Sequence, residues 1–293
     1  MKRLIPLFSV ISLVILACNL TPTLTPSTVP TDTLLPSPPP VNTEVPTVSQ
    51  LPVPSVTATS SAPAANVTCN GLSLYLDPAL ASSYTCETVP EQTDVMEVFP
   101  QYTKLSFTGY PLSDKFFHPY ISVFPIQRFT ELLPDRVPGQ VTSLQALIAG
   151  NPPPVQNQSF SGPGLPFLPL WNAGQVFHAL YAVVPFGNGG GIRYVTLYAQ
   201  YFAPINNHDL FYTYQGLTSD GKYWVSAVLP VNHAILPMTG DNPPNGMTWD
   251  QFGNAYETYL ADIITQLEAQ PAGSYVPALP ALDALVASIS IQP

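Results

Sequence analysis

Apolar and polar residues alternate along several stretches of this chain with the period of two that a half-buried strand requires. Ile192, Tyr194, Thr196 and Tyr198 face one way along 192–202, and Arg193, Val195, Leu197 and Ala199 face the other. Neighbouring runs at 176–186, 210–217 and 222–229 are similarly rich in Val, Tyr, Phe and Leu. Gly187-Asn188-Gly189-Gly190-Gly191 and Ser219-Asp220-Gly221 divide them, and such segments tolerate the positive φ angles of tight turns, so two antiparallel hairpins are predicted. Shorter strands are predicted at 72–76, 104–108 and 120–124, each bounded by Gly, Pro or Asp.

The pattern changes to helical spacing near the end of the chain. Phe252, Ala255, Tyr256, Tyr259, Leu260, Ile263, Ile264 and Leu267 fall on one face, with Thr248 and Gln251 set as a capping box and Pro271 as the stop. A shorter helix after Pro280 gathers Leu282, Leu285, Val286 and Ile289. Earlier, 128–133 suits a helical turn, and Thr142 with Gln145 forms a second capping box for a helix that Gly150 ends. The Pro-rich stretch 151–172 has no period and reads as a long loop. Strands interrupted by helices define an α+β domain, an antiparallel sheet packed by helices, over residues 66–293.

Ahead of that domain the pattern is lost. Lys2 and Arg3 precede an apolar run, 4–16, that is too short for a bilayer needing about 20 residues. The run closes on Leu13-Val14-Ile15-Leu16-Ala17-Cys18. This start resembles a bacterial lipoprotein precursor, which implies that residues 1–17 are a removable signal and that Cys18 carries lipid. The anchor then fixes the protein to a membrane on its extracytoplasmic side, at the cell membrane or outer membrane. Residues 18–65 carry Pro at 22, 26, 30, 36, 38, 39, 40, 46, 52, 54 and 63, with Thr and Ser between. Such a segment cannot bury enough apolar surface to offset its entropy, so a disordered, polyproline-biased stalk is expected.

With Cys18 acylated, Cys69 and Cys86 have only each other. A disulfide is expected in an oxidising compartment, whereas a redox-active pair would want C-x-x-C spacing. Charged residues are only 9% of the chain, so an uncharged polar and aromatic surface is expected. Its net charge of −10 disfavours nucleic acid and anionic lipid as partners. The order of early strands, helix, four meandering strands and terminal helices is similar to PsbP-like domains. That likeness implies a non-enzymatic accessory role at a membrane, although that family's metal-binding residues find no counterpart here.

Chemistry is sparse. His118, His178, His208 and His233 are widely separated, and none stands in a spacing that puts two imidazoles on one helix face, so neither metal nor cofactor is expected. Ser219-Asp220-Gly221-Lys222 matches S-x-x-K formally but sits in a hairpin turn, and the Gly187–Gly191 run leads into a strand rather than the helix a phosphate loop requires. The remaining candidates are ligand contacts. His208, Asp209 and His233 flank the open side of the second hairpin, Asp241 follows in the next loop, and Trp171 with other aromatics suits sugar rings or a protein interface. The reading is a lipid-anchored binding or assembly module for a protein or glycan, with no catalytic residue assigned. A hydrolase acting on glycans through the loop carboxylates and His is the alternative.

Overall fold

The computed structural model describes residues 63–94, 97–153 and 164–292. The signal segment, Cys18 and the Pro/Thr/Ser-rich stretch up to residue 62 lie outside them, as do residues 154–163 of the long loop. In chain order the strands before the first helix are β1 (Val67–Cys69), β2 (Leu72–Leu74), β3 (Ser83–Val89), β4 (Gln92–Asp94), β5 (Glu97–Phe99), β6 (Tyr102–Thr108) and β7 (Tyr120–Pro125). Helices α1 (Ile126–Leu132) and α2 (Val137–Ile148) follow. Then come β8 (Gly174–Gln175), β9 (Ala179–Phe186), β10 (Gly189–Thr196), β11 (Tyr198–Ala199), β12 (Phe211–Thr218) and β13 (Tyr223–Pro230). The described chain closes with α3 (Trp249–Glu268), α4 (Leu279–Ala287) and β14 (Ser290–Ile291).

The α+β architecture is as the sequence predicts. One seven-stranded sheet, ordered β3-β6-β7-β13-β12-β10-β9, is antiparallel throughout. Both hairpins form. At the second, Gly221 sits at φ +70° and its N–H donates to the Thr218 carbonyl at 2.9 Å. The first turn is shorter than predicted, because Gly189, Gly190 and Gly191 already belong to β10. The reason is space: a Cβ on Gly191 would lie 2.5 Å from both the Gln215 carbonyl oxygen and Cζ of the Tyr214 ring. Glycine is needed there to admit a neighbouring ring, not to bend the chain.

Strand alternation gives the sheet two different faces. The first takes Leu105, Ile121, Val123, Tyr212, Tyr214, Val225, Ala227 and Leu229 into a core shared with α3 and α4. Helix α3 buries Phe252, Tyr256, Leu260, Ile263 and Leu267, and the Thr248–Gln251 capping box forms with both of its hydrogen bonds. On the second face, Phe124, Ile192, Tyr194, Leu217 and Trp224 pack under Phe129 of α1 and Val137, Leu144 and Leu147 of α2. Helix α2 starts at Val137, not at the predicted Thr142 cap. Pro138 occupies the first turn, where a missing N–H costs nothing, so the helix begins six residues early, with Arg136 rather than Thr142 at its N-cap.

A separate small sheet, β1-β2-β14, joins the first and last described strands. The disulfide Cys69–Cys86 connects β1 to β3, the outermost strand of the large sheet, across a Cα–Cα distance of 5.6 Å. All but one residue of β3 are exposed, so the strand has little apolar burial of its own to hold it and depends on its ladder and this bond. Closing a loop with a sequence separation of 17 is worth about 3 kcal/mol on chain-entropy grounds. Reduction, or replacing both cysteines with Ser, is therefore expected to lower the unfolding free energy by about that amount, read from the urea midpoint. An unchanged midpoint would show that β3 does not rely on the crosslink.

Tyrosine fills much of the core. Tyr194, Tyr212, Tyr214, Tyr256 and Tyr275 are fully buried. Each hydroxyl finds an acceptor: the Pro166 carbonyl at 3.1 Å, Asp283 Oδ1 at 3.0 Å, and the Val184, Ala203 and Leu267 carbonyls at 2.9, 3.0 and 3.1 Å. Burial raises the pKa of all five, that of Tyr275 to about 12, because a phenolate would lose its hydration. A folded pKa above the unfolded value gives stability that is present below pH ~10 and lost as pH rises past it. Lys115, lowered by burial to about 8, acts oppositely, gaining stability between pH 8 and its unfolded value of 10.5, but it is a single group. Alkaline titration followed at the phenolate absorbance is expected to show these tyrosines ionising together with cooperative unfolding above pH ~10. Smooth, independent ionisation with retained circular dichroism would contradict it.

Candidate functional site

The half of the second face that α1 and α2 leave uncovered opens as a cleft of about 890 Å³. Its floor is strand residues Lys104 of β6 and Tyr120 of β7, and its walls are loop residues, among them Phe116, Phe117, Trp171, Tyr201, His208, Asp209 and Asp241. That volume falls in the range of ordinary small-ligand sites.

The wall bearing Trp171 is irregular backbone, and its amides need partners that no strand supplies. Three glutamines provide them. Gln175 Oε1 accepts from Leu165 N at 2.9 Å, Gln140 Oε1 from Phe167 N at 3.0 Å, and Gln215 Oε1 from Leu168 N at 3.1 Å. Gln215 is completely buried in the middle of β12, and its amide is fully used. Its oxygen also accepts Trp224 Nε1–H at 2.7 Å, while its nitrogen donates to Thr213 Oγ1 at 2.8 Å and Ser226 Oγ at 3.0 Å. Held in this way, Trp171 stacks on Phe117, with centroids 4.6 Å apart and planes 11° apart, and meets Phe167 and Tyr198 edge-on.

The Phe116–Phe117 segment is pinned by Lys115. Its ammonium donates to the Val231 carbonyl and to Asn232 Oδ1, each at 2.8 Å, and to the Asn207 carbonyl. Asn207 in turn accepts from His233 N at 2.8 Å and donates to the His233 and Leu236 carbonyls. His208 N donates to the Met238 carbonyl at 2.9 Å, so the turn carrying His208 and Asp209 is fastened to the segment leading to Asp241.

At this end His208 Nδ1 and Asp209 Oδ1 are 2.6 Å apart, Asp209 Oδ2 accepts from Asn206 Nδ2 at 2.8 Å, and Asp241 Oδ2 accepts from Thr239 Oγ1 at 2.6 Å. Phe116 is 65% exposed and Tyr201 55% exposed beside these acids. The Tyr201 hydroxyl is pushed above its ordinary pKa by partial burial and then by the charges of Asp209 and Asp241. At the opposite end Lys104 Nζ lies 5.4 Å from the Tyr120 ring centroid and 3.3 Å from Glu87, with Glu97 nearby in the lining.

Of the residues singled out by sequence, Trp171, His208, Asp209 and Asp241 line this one cleft. His233 does not. Its ring is buried against Tyr275, with Nε2 2.8 Å from Ser274 Oγ, and burial lowers its pKa. Trp224 is core, and Trp249 stands exposed at the start of α3. Phe116, Tyr201, Lys104 and the supporting glutamines carry no motif and were not legible as site residues. Lys222 of the S-x-x-K match pairs with Asp220 at 3.3 Å on an exposed turn. Among the described residues, no group of three or more His, Cys, Asp or Glu is placed to hold a metal ion, and no helix is long and apolar enough to cross a membrane. No family model, curated protein or solved structure matches this chain.

Gln215→Leu keeps the volume but strands the Leu168 and Trp224 donors, at about 1–3 kcal/mol each. It is expected to lower the urea midpoint accordingly and to speed amide exchange at 165–168. Unaltered exchange there would mean that the wall is held by something other than this amide.

Proposed function

We propose that the protein is a lipid-anchored, extracytoplasmic binding module whose ligand occupies the aromatic cleft. The observation that carries this reading is the meeting, in one concavity, of stacked and exposed rings with hydrogen-bonding groups held rigid by their own partners. Rings offer area at low entropic cost, and fixed acceptors give orientation, which is what a recognition site requires. The cysteines support the address: Cys69 and Cys86 are bonded to each other, leaving Cys18 as the third, at the end of the apolar run. The cleft lining contains neither Ser nor Cys, and its one aliphatic hydroxyl, Thr239, donates to Asp241, which argues against a Ser or Cys nucleophile.

One observation favours hydrolysis as a second reading. The 2.6 Å contact between Asp209 and His208 Nδ1 leaves Nε2 as the ring nitrogen for activating water, the way an oriented imidazole serves as a base. The test compares the full-length chain with Trp171→Ala and His208→Ala on a glycan array, on soluble envelope fragments and in a hydrolase panel. A retained ligand lost in Trp171→Ala, without turnover, is the expected result. Turnover abolished by His208→Ala would replace the binding role with the catalytic one. Acyl groups found on Cys18 by mass spectrometry of the mature N-terminus are expected alongside, and an unmodified N-terminus would remove the anchor.

A further inference from the structure

Resting on the assignment of the cleft as the ligand site, we propose that its His208–Asp241 end binds an organic ammonium group, quaternary or otherwise bulky, carried on a small molecule or an envelope polymer. Three carboxylates line the cleft, Glu97, Asp209 and Asp241, against one permanent cation, Lys104. That lysine is already matched by Glu87 at 3.3 Å and stands at the opposite end over Tyr120. The end formed by Asp209 and Asp241 has no Lys or Arg among its lining residues; Lys115 lies behind it within electrostatic reach of Asp209, its ammonium taken up by the Asn207 and Val231 carbonyls and Asn232 Oδ1.

Two exposed rings complete the arrangement. Phe116 packs edge-on to His208, with centroids 6.2 Å apart, and Tyr201 lines the cleft together with both acids. An ammonium bearing methyl groups is weakly hydrated, so it gains from ring faces and from nearby anions without having to surrender strong hydrogen bonds to water. A neutral sugar would use the rings and hydrogen-bond to the carboxylates, but only a cation gains from their charge. An anionic ligand would meet repulsion from both Asp209 and Asp241, in a chain whose net charge is already −10. The Lys104–Tyr120 contact shows the same chemistry satisfied within the molecule at the other end of the cleft.

The decisive comparison is choline against 3,3-dimethylbutan-1-ol, its uncharged carbon isostere, titrated calorimetrically into the full-length chain. Choline is expected to bind at least about tenfold more tightly, with the preference shrinking as salt rises, since the acids are partly exposed. Phe116→Leu and Tyr201→Leu replace exposed rings and leave the fold intact, and each is expected to weaken choline about twofold to fivefold. Asp209→Asn with Asp241→Asn is expected to erase the preference for the charged compound, while Glu257→Gln, at an exposed acid of α3 outside the cleft, leaves it in place. Equal affinity for the two compounds, or no choline binding at all, overturns the proposal. If choline fails while the array or envelope fragments still yield a Trp171-dependent ligand, only the ammonium assignment falls. If both fail, the binding reading falls with it.

Discussion

A buried primary amide at the centre of the large sheet decides how the second face is divided. Gln215 lies between two apolar clusters, one under α1 and α2 and one made of Phe167, Phe211 and Val228. It shares a cross-sheet row with Ser226 and Ser122, since Gln215 pairs with Ser226 and Ser226 with Ser122 in register. Because every hydrogen-bonding site of its side chain is used, the row is a satisfied polar seam, and it fixes what lies above it. An apolar residue in its place would leave the Leu168 backbone without an anchor on the sheet, and with it the wall that carries Phe167 and Trp171.

The two faces therefore divide the work. The face under α3 and α4 is apolar save for tyrosine hydroxyls, each tied to an acceptor, and the Arg193–Asp283 pair at 3.3 Å, and it supplies the bulk of the cohesion. A chain with so few charges has no large store of ion pairs to draw on, and tyrosine offers a large apolar body whose single polar end can be satisfied by one carbonyl. The opposite face carries the seam, the glutamine-pinned loop and the cleft. Its rings are arranged by loop geometry rather than by strand pleat, so side chains far apart in the sequence meet there.

The fold was legible where periodicity was strong. The hairpins around Gly187 and Asp220 and the α3 face from Phe252 to Leu267 follow directly from spacing and turn chemistry. Strand β3 was missed because its residues are nearly all exposed, so no alternation marks it, and β4, β5 and β8 are too short to leave a pattern. The α2 start was misplaced because Thr142 mimics a cap, whereas the actual first turn relies on Pro138. At the site, Trp171, His208, Asp209 and Asp241 stood out by residue type. Gln140, Gln175 and Gln215 did not, because a glutamine that holds a distant loop reads in sequence like one on a solvated surface. His233 was drawn in by proximity to the second hairpin, and its ring turns instead toward Ser274 and Tyr275.

The small sheet and its disulfide have a mechanical consequence. Tension applied through the chain preceding residue 66 enters β1, which is hydrogen-bonded only to β2 through three residue pairs. Within those three residues it reaches Cys69, and the covalent link there hands the load sideways to β3 and the ladder with β6. Peeling of the first strand is thus arrested almost at once. The load thus meets the large sheet at its β3 edge, next to the β6 strand whose Lys104 lines the cleft.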